Sequence, residues 1–315
     1  MRCTSPRSVG FKADGRTICW SPKQISKEYA TFQLPCGKCI ECRLDYARQW
    51  AVRCVHEAAM HPKNSFITLT YDDNHVGDGR LHYDHFQKFM KKLRKLQSEP
   101  MGVFVTGEYG EKTKRPHWHA ILFNFDFSDH QPLRTNERGD RIYTSRTLDR
   151  IWAKGMAEIG SVTFESAGYC ARYAAKKLCH GKDSEHDYQP ISKKSSKHAI
   201  GKAWLEKNWR DVFINDELVL ADGTTTAIPR YYVKWLQEHQ PTEWLRYVTE
   251  TREKKISRAE LRAAEEKAAY EATYLERSVR AAKGGYLLGA PTTRNQHRKK
   301  ITLSKFKLLQ DYLKL

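Results

Sequence analysis

His117 and His119 flank Trp118 at the head of an apolar run, Trp118-His119-Ala120-Ile121-Leu122-Phe123, that predicts a strand from His117 to Phe125. Side chains alternate faces along a strand, so the two imidazoles share one face and can share one divalent metal. Further along, Tyr169 and Tyr173 stand four apart in a stretch, Ser166 to Leu178, that reads as a helix, which puts both phenols on one helix face. A metal beside paired tyrosines points to phosphodiester chemistry with a tyrosine nucleophile. A phenol titrates near pH ~10 and attacks only with help from a metal or a nearby cation. Attack on a backbone phosphate leaves a phosphotyrosine and a free 3′-hydroxyl. The energy of the broken phosphodiester is retained, so a later hydroxyl can reseal the strand without ATP. Each piece also has a plainer reading: histidines lining a surface strand, tyrosines packed in a core.

A third ligand is within reach. Gly102 to Glu108 reads as a strand, and the polar turn from Tyr109 to Pro116 returns the chain antiparallel, with Glu108 beside His117. Glu111 is a rival for the same role. Two imidazoles and a carboxylate suit Mn²⁺ better than Mg²⁺ by softness, and either ion would act as a Lewis acid on the scissile phosphate. Lys176 and Lys177 follow one turn after the tyrosines. They could bind that phosphate or stabilise a phenolate, or equally form a solvated face.

The elements that must position these groups can be read on either side. Leu44, Ala47, Ala51, Val55 and Ala58 recur at helical spacing over residues 40–60, and His61-Pro62 ends that helix. Phe66-Ile67-Thr68-Leu69-Thr70-Tyr71 alternates as a strand. Leu81 to Leu96 is a basic amphipathic helix with Phe86, Phe89, Met90 and Leu93 inward. Arg146 to Lys154 is a short helix, and Met156 to Phe164 a fourth strand. Residues 1–35, Asp126 to Arg141, and Lys182 to Lys197 read as irregular or loop, apart from short strand-like pieces near the N-terminus. Helices are expected at Trp204 to Phe213, Arg230 to His239 and Ser257 to Lys283, followed by a basic tail. This pattern predicts an α+β fold: an antiparallel central sheet with flanking helices, a cysteine-rich N-terminal segment and a mainly helical C-terminal region. The expected division is 1–60 for that segment and its helix, 61–180 for the core, and 181–315 for the helical basic region.

Cys36-x-x-Cys39-x-x-Cys42 is spaced to clamp a metal through thiolates, with zinc the natural ion and Cys3, Cys19, Cys54 or His56 a possible fourth ligand. No secretory signal follows Met1, so the chain is expected to be intracellular and its eight cysteines reduced. Across 315 residues, 55 Lys and Arg against 37 Asp and Glu leave a net charge of +18, which favours a polyanionic partner. No apolar run approaches the ~20 residues a membrane span needs, so nucleic acid is the expected partner. Lys88, Lys91, Lys92, Arg94 and Lys95 make one helix strongly cationic, and Arg115 beside the histidines could hold a phosphate. Trp118, on the face opposite the imidazoles, is expected in the core. No GxxxxGK[ST] motif occurs, so no helicase domain is expected.

Phe66-Ile67-Thr68-Leu69-Thr70, Pro116-His117-Trp118-His119, and Tyr169-Cys170-Ala171-Arg172-Tyr173-Ala174-Ala175-Lys176-Lys177 resemble, in order and placement, the three motifs of the HUH endonuclease superfamily. The tyrosine pair resembles the two-nucleophile rolling-circle replication initiators. Pro35-Cys36-Gly37-Lys38-Cys39-Ile40-Glu41-Cys42-Arg43 resembles the initiators of gokushoviruses, small single-stranded DNA phages of the microvirus group. The resemblance covers roughly residues 30–180. It implies a nickase and strand transferase acting on viral origin DNA, single-stranded and duplex, in the cytoplasm of the host cell. One tyrosine would cut the plus strand and keep its 5′ end, a host polymerase and helicase would extend and unwind, and the second tyrosine would release and close the displaced circle. A transposase or relaxase with the same site, and a zinc-stabilised DNA-binding regulator without catalysis, are the competing readings.

Overall fold

The computed structural model describes residues 3–110, 113–136, 139–176, 191–195, 199–285 and 294–313. In chain order these form β1 (Arg7–Phe11), β2 (Ile18–Cys19), β3 (Phe32–Leu34), α1 (Ile40–Ala58), β4 (Asn64–Thr70), α2 (Tyr83–Leu93), β5 (Gly102–Tyr109), β6 (Pro116–Phe123), β7 (His130–Thr135), β8 (Arg141–Ser145), α3 (Arg146–Trp152), β9 (Ala157–Gly160), α4 (Phe164–Lys176) and β10 (Ile191–Lys194). There follow α5 (Lys202–Ile214), a hairpin of β11 (Leu218–Val219) and β12 (Thr225–Thr226), α6 (Arg230–His239), α7 (Pro241–Arg246), α8 (Glu253–Lys283) and α9 (Arg294–Leu313). A π-helical turn, Tyr247–Arg252, joins α7 to α8. The fold is α+β, as the sequence pattern predicts.

Seven antiparallel strands form the main sheet, in the order β10-β5-β6-β4-β9-β8-β7. The central strands are apolar on both faces because helices cover both. On one face Ile67, Leu69, Val105, Trp118, Ala120 and Leu122 pack with Phe86, Phe89, Met90 and Leu93 of α2 and with Leu148, Ile151 and Trp152 of α3. On the other, Phe104, Ile121 and Phe123 meet Ala47, Trp50, Ala51 and Cys54 of α1 and Ala167, Cys170 and Ala171 of α4. Trp118 is fully buried, and its Nε1 donates to the Tyr71 hydroxyl at 3.0 Å. Gly107 makes room for it: a Cβ there would stand 2.6 Å from the indole.

Three segments read as irregular carry strands. Asp126 to Arg141 contributes β7 and part of β8, a hairpin that extends the sheet. The β7 side chains after His130 are exposed, so no apolar alternation marks that strand. Within Lys182 to Lys197, Ile191–Lys194 pairs with β5 as the sheet edge. An edge strand made of Ser and Lys is a usual protection against further pairing, and its backbone hydrogen bonds leave no hydrophobic signature. Residues 1–35 contain a three-stranded sheet, β2-β1-β3.

The chain divides into two compact units. Residues 43–211 and 228–234 hold the seven-stranded sheet; residues 1–42, 212–227 and 235–315 hold the three-stranded sheet and the long C-terminal helices. Among the described residues no helix is long and apolar enough to cross a membrane.

Replacing Trp118 by Ala should cost about 3–5 kcal/mol of stability by opening a cavity between the sheet and α2. Urea unfolding followed by circular dichroism measures it, and Trp118→Phe should lose less.

Candidate active site

Strand register assembles the site. Thr68 of β4 lies opposite His119 of β6, which lies opposite Thr106 of β5; one step on, Thr70, His117 and Glu108 form the next row. Their side chains share the sheet face covered by α1 and α4, opposite Trp118 and α2. Glu108 Oε1 lies 2.8 Å from His117 Nε2 and 2.9 Å from His119 Nε2. The three ligand atoms all fall within 4.8 Å of one another.

The chemistry of this trio asks for a cation. His117 Nδ1 is 3.1 Å from the Arg115 carbonyl, which can only accept, so Nδ1 carries the proton. A neutral His117 then turns the lone pair of Nε2 toward a carboxylate oxygen. His119, whose Nδ1 contacts the Thr68 hydroxyl at 3.0 Å, brings a second imidazole to the same oxygen. Glu108 Oε2 is buried with no hydrogen-bond partner. Burial pushes the Glu108 carboxyl up, but the two imidazoles bonded to it outweigh that and hold it below the ordinary range. Burial holds His119 low, which keeps it neutral and able to ligate. Two nitrogens and a buried carboxylate thus fit a divalent ion, and Thr68 and the Arg115 carbonyl orient the imidazoles from behind.

Helix α4 brings the nucleophile candidate. Ala167, Cys170 and Ala171 are fully buried against the sheet. The Thr106 hydroxyl donates to the Cys170 carbonyl at 3.0 Å, which pins the helix over β5. Half-buried Tyr169 then points its hydroxyl at Glu108 Oε1, 3.4 Å away, with its ring edge-on to His119 at 4.9 Å between centroids. The Arg172 guanidinium lies 5.8 Å from the Tyr169 ring centroid. Tyr173 and Lys176 belong to α4, but their side chains lie outside the described residues, as do Lys177 and Glu111 altogether.

Not every expected contact residue gathers here. Lys88, Lys91, Lys92 and Lys95 are exposed on or just after α2, whose inner side covers the opposite sheet face. Lys88 pairs with Asp84 at 3.0 Å, and Lys92 Nζ donates to the Ile151 carbonyl at 3.4 Å. Arg115 donates to the Tyr71 carbonyl at 2.8 Å and pairs with Asp73, so it braces the turn that carries the His117 acceptor. In the cysteine cluster, Cys3 joins Cys36, Cys39 and Cys42. Cys19, Cys54 and His56 do not: Cys19 faces Ser21 and Gln24, Cys54 is in the core under the sheet, and His56 stacks on Trp204. Sequence reasoning missed Thr68 and Arg172 as site residues. The position of Arg172, three after Tyr169, was the available signal for one; only strand register supplies the other.

A family model for replication-associated proteins of the ORF2 type matches residues 64–178, from the start of β4 through both tyrosines. Replication-associated protein VP4 of Bdellovibrio phage phiMH2K is 44% identical over 323 residues, covering 100% of each chain. Replication-associated protein ORF2 of Spiroplasma virus 4 is 34% identical over 245 residues, 71% of this chain and 74% of that one. Replication-associated protein ORF4 of Chlamydia phage 1 is 34% identical over 218 residues, 66% and 54% respectively. No solved structure matches.

Thr68→Val should weaken Mn²⁺ binding about 10–100-fold while Thr68→Ser preserves it, because the hydroxyl, not the methyl, orients His119. Titration followed by electron paramagnetic resonance of free Mn²⁺ reads the difference. Glu108→Gln should weaken binding at least as much.

Proposed function

This chain belongs to the family of phage and viral replication-associated proteins, and we propose that it initiates rolling-circle replication by nicking the origin of the viral replicative form and later rejoining the displaced strand. The observation that carries this reading is the meeting of Glu108, His117, His119 and the Tyr169 hydroxyl at one point on the sheet. A divalent ion, Mn²⁺ or Mg²⁺, held by Glu108, His117 and His119 would supply Lewis acidity to a phosphate oxygen.

Around that ion the side chains have separate tasks. Tyr169 Oη attacks phosphorus, and the P–O3′ bond breaks. The phenol gives up its proton and the departing oxygen gains one, leaving a 3′-hydroxyl and a 5′-phosphotyrosine. Arg172 favours the phenolate electrostatically. Tyr173, one turn along the same helix, serves as the second nucleophile, with Lys176 and Lys177 as phosphate contacts. Rejoining is the reverse: a 3′-hydroxyl attacks the phosphotyrosine and the phenol leaves. The lysines of α2, on the far sheet face, serve flanking duplex rather than the scissile phosphate. Unwinding and synthesis fall to a host helicase and polymerase. Zinc is the second metal in this reading, held by the cysteine cluster.

A labelled single-stranded origin oligonucleotide incubated with protein and Mn²⁺ should give a covalent protein–DNA band on a denaturing gel. The band should vanish with EDTA and fall on the order of 10³-fold or more for His117→Ala and for Tyr169→Phe with Tyr173→Phe. Tight binding with no adduct from any origin fragment would leave the non-catalytic regulator instead. Changing Lys88, Lys91 and Lys95 together to Gln should lower the salt slope of duplex binding by about two to three while adduct formation at saturating DNA persists.

A further inference from the structure

The cysteine cluster lies in the unit that does not hold the seven-stranded sheet, and its geometry goes beyond the three-residue motif. We propose that Cys3, Cys36, Cys39 and Cys42 hold one structural zinc ion as a four-thiolate site, and that this ion fastens residue 3 to the start of α1 and so closes the N-terminal sheet.

The four sulfurs lie within 4.8 Å of one another, and Cys3 Sγ is 3.8 Å from Cys39 Sγ. Zinc–sulfur bonds of ~2.3 Å at tetrahedral angles place sulfurs about 3.8 Å apart. A disulfide needs about 2.05 Å. An iron–sulfur cluster inserts its own iron and sulfide atoms between the thiolates and needs a wider ring. Spacing therefore selects a single ion, and four soft thiolates with no carboxylate among them select zinc over Mn²⁺ or Mg²⁺.

The backbone is arranged for thiolates. The amide of Cys36 donates to Cys3 Sγ at 3.3 Å, and the amides of Lys38 and Cys39 donate to Cys36 Sγ at 3.4 and 3.2 Å. Gly37, at φ +72°, makes the turn that folds these amides back onto the sulfur. Cys39 and Cys42 stand either side of Ile40, where α1 begins, so the positive end of the helix dipole also favours their ionised forms.

The N-terminal sheet has need of such a clamp. Its strands are 5, 2 and 3 residues long, and among residues 3–35 only Cys3, Val9, Gly10 and Cys19 are buried. So small a core leaves a metal as the main source of stability. Glu41, between Cys39 and Cys42, accepts from the Thr302 hydroxyl at 3.0 Å, so the same clamp orders the seat of α9.

This assignment does not depend on the nicking reading, and metal content tests it without an activity assay. The full chain, purified reduced and dialysed against EDTA, should retain about one zinc by mass spectrometry. Cys19→Ser and His117→Ala should retain it too. Cys3→Ser and Cys39→Ser should retain less than about a tenth as much. Cobalt replacing zinc in the wild type should give the intense visible bands of a tetrahedral thiolate site, and Cys3→His should keep those bands but shift them to shorter wavelength. A wild type with no bound zinc and no such cobalt bands, iron in place of zinc, or a Cys3→Ser chain with full zinc and an unchanged cobalt spectrum would each overturn the proposal. Should the serine variants not fold, the wild-type stoichiometry and cobalt spectrum decide alone.

Discussion

The antiparallel register of β4, β6 and β5 is the constraint on which the rest of the site depends. It sets Thr68 beside His119 and His117 beside Glu108. A slip of one residue along either ladder would turn His117 and His119 toward α2 and put Trp118 where the metal ligands belong. The register is held by the opposite face. Trp118, Leu69 and Val105 have no exposed surface and fit only against α2 and α3, so the hydrophobic packing of one side fixes the polar chemistry of the other.

Burial then gives that chemistry its strength. Glu108 carries one oxygen shared by two imidazoles and another with no hydrogen-bond partner, deep under α4. A charge left so in a low-dielectric setting is costly unless a cation accompanies it. Tyr169 reaches the same oxygen from a helix locked to the sheet through Thr106 and Cys170, so nucleophile candidate and ligands rest on rigid elements rather than loops. Arg115, suggested by its neighbours in sequence as a phosphate contact, is spent on holding the turn behind His117.

The two units solve stability differently. A seven-stranded sheet with helices on both faces buries large side chains such as Trp118, Phe86 and Phe104. The three-stranded sheet has almost nothing of this kind, and four sulfurs gathered around one point stand in its place. Positive charge is not concentrated at the site either: the lysines of α2 look away from the histidine face.

By itself the sequence determined the element types and the polarity of their faces wherever a period could be read. The two-residue period through His117, Trp118 and His119 and the four-residue step from Tyr169 to Tyr173 are local, because strand and helix geometry are local. Glu108 was legible for the same reason, since a short turn ties it to His117. Tertiary structure alone decided that Thr68 backs His119, that Cys3 rather than Cys19, Cys54 or His56 completes the sulfur cluster, and that β7 and β10 extend the sheet. These pairings join residues far apart in the chain through backbone hydrogen bonds or short polar side chains. Such contacts impose no periodicity and leave no hydrophobic trace, so nothing in the order of residues announces them until the chain has folded.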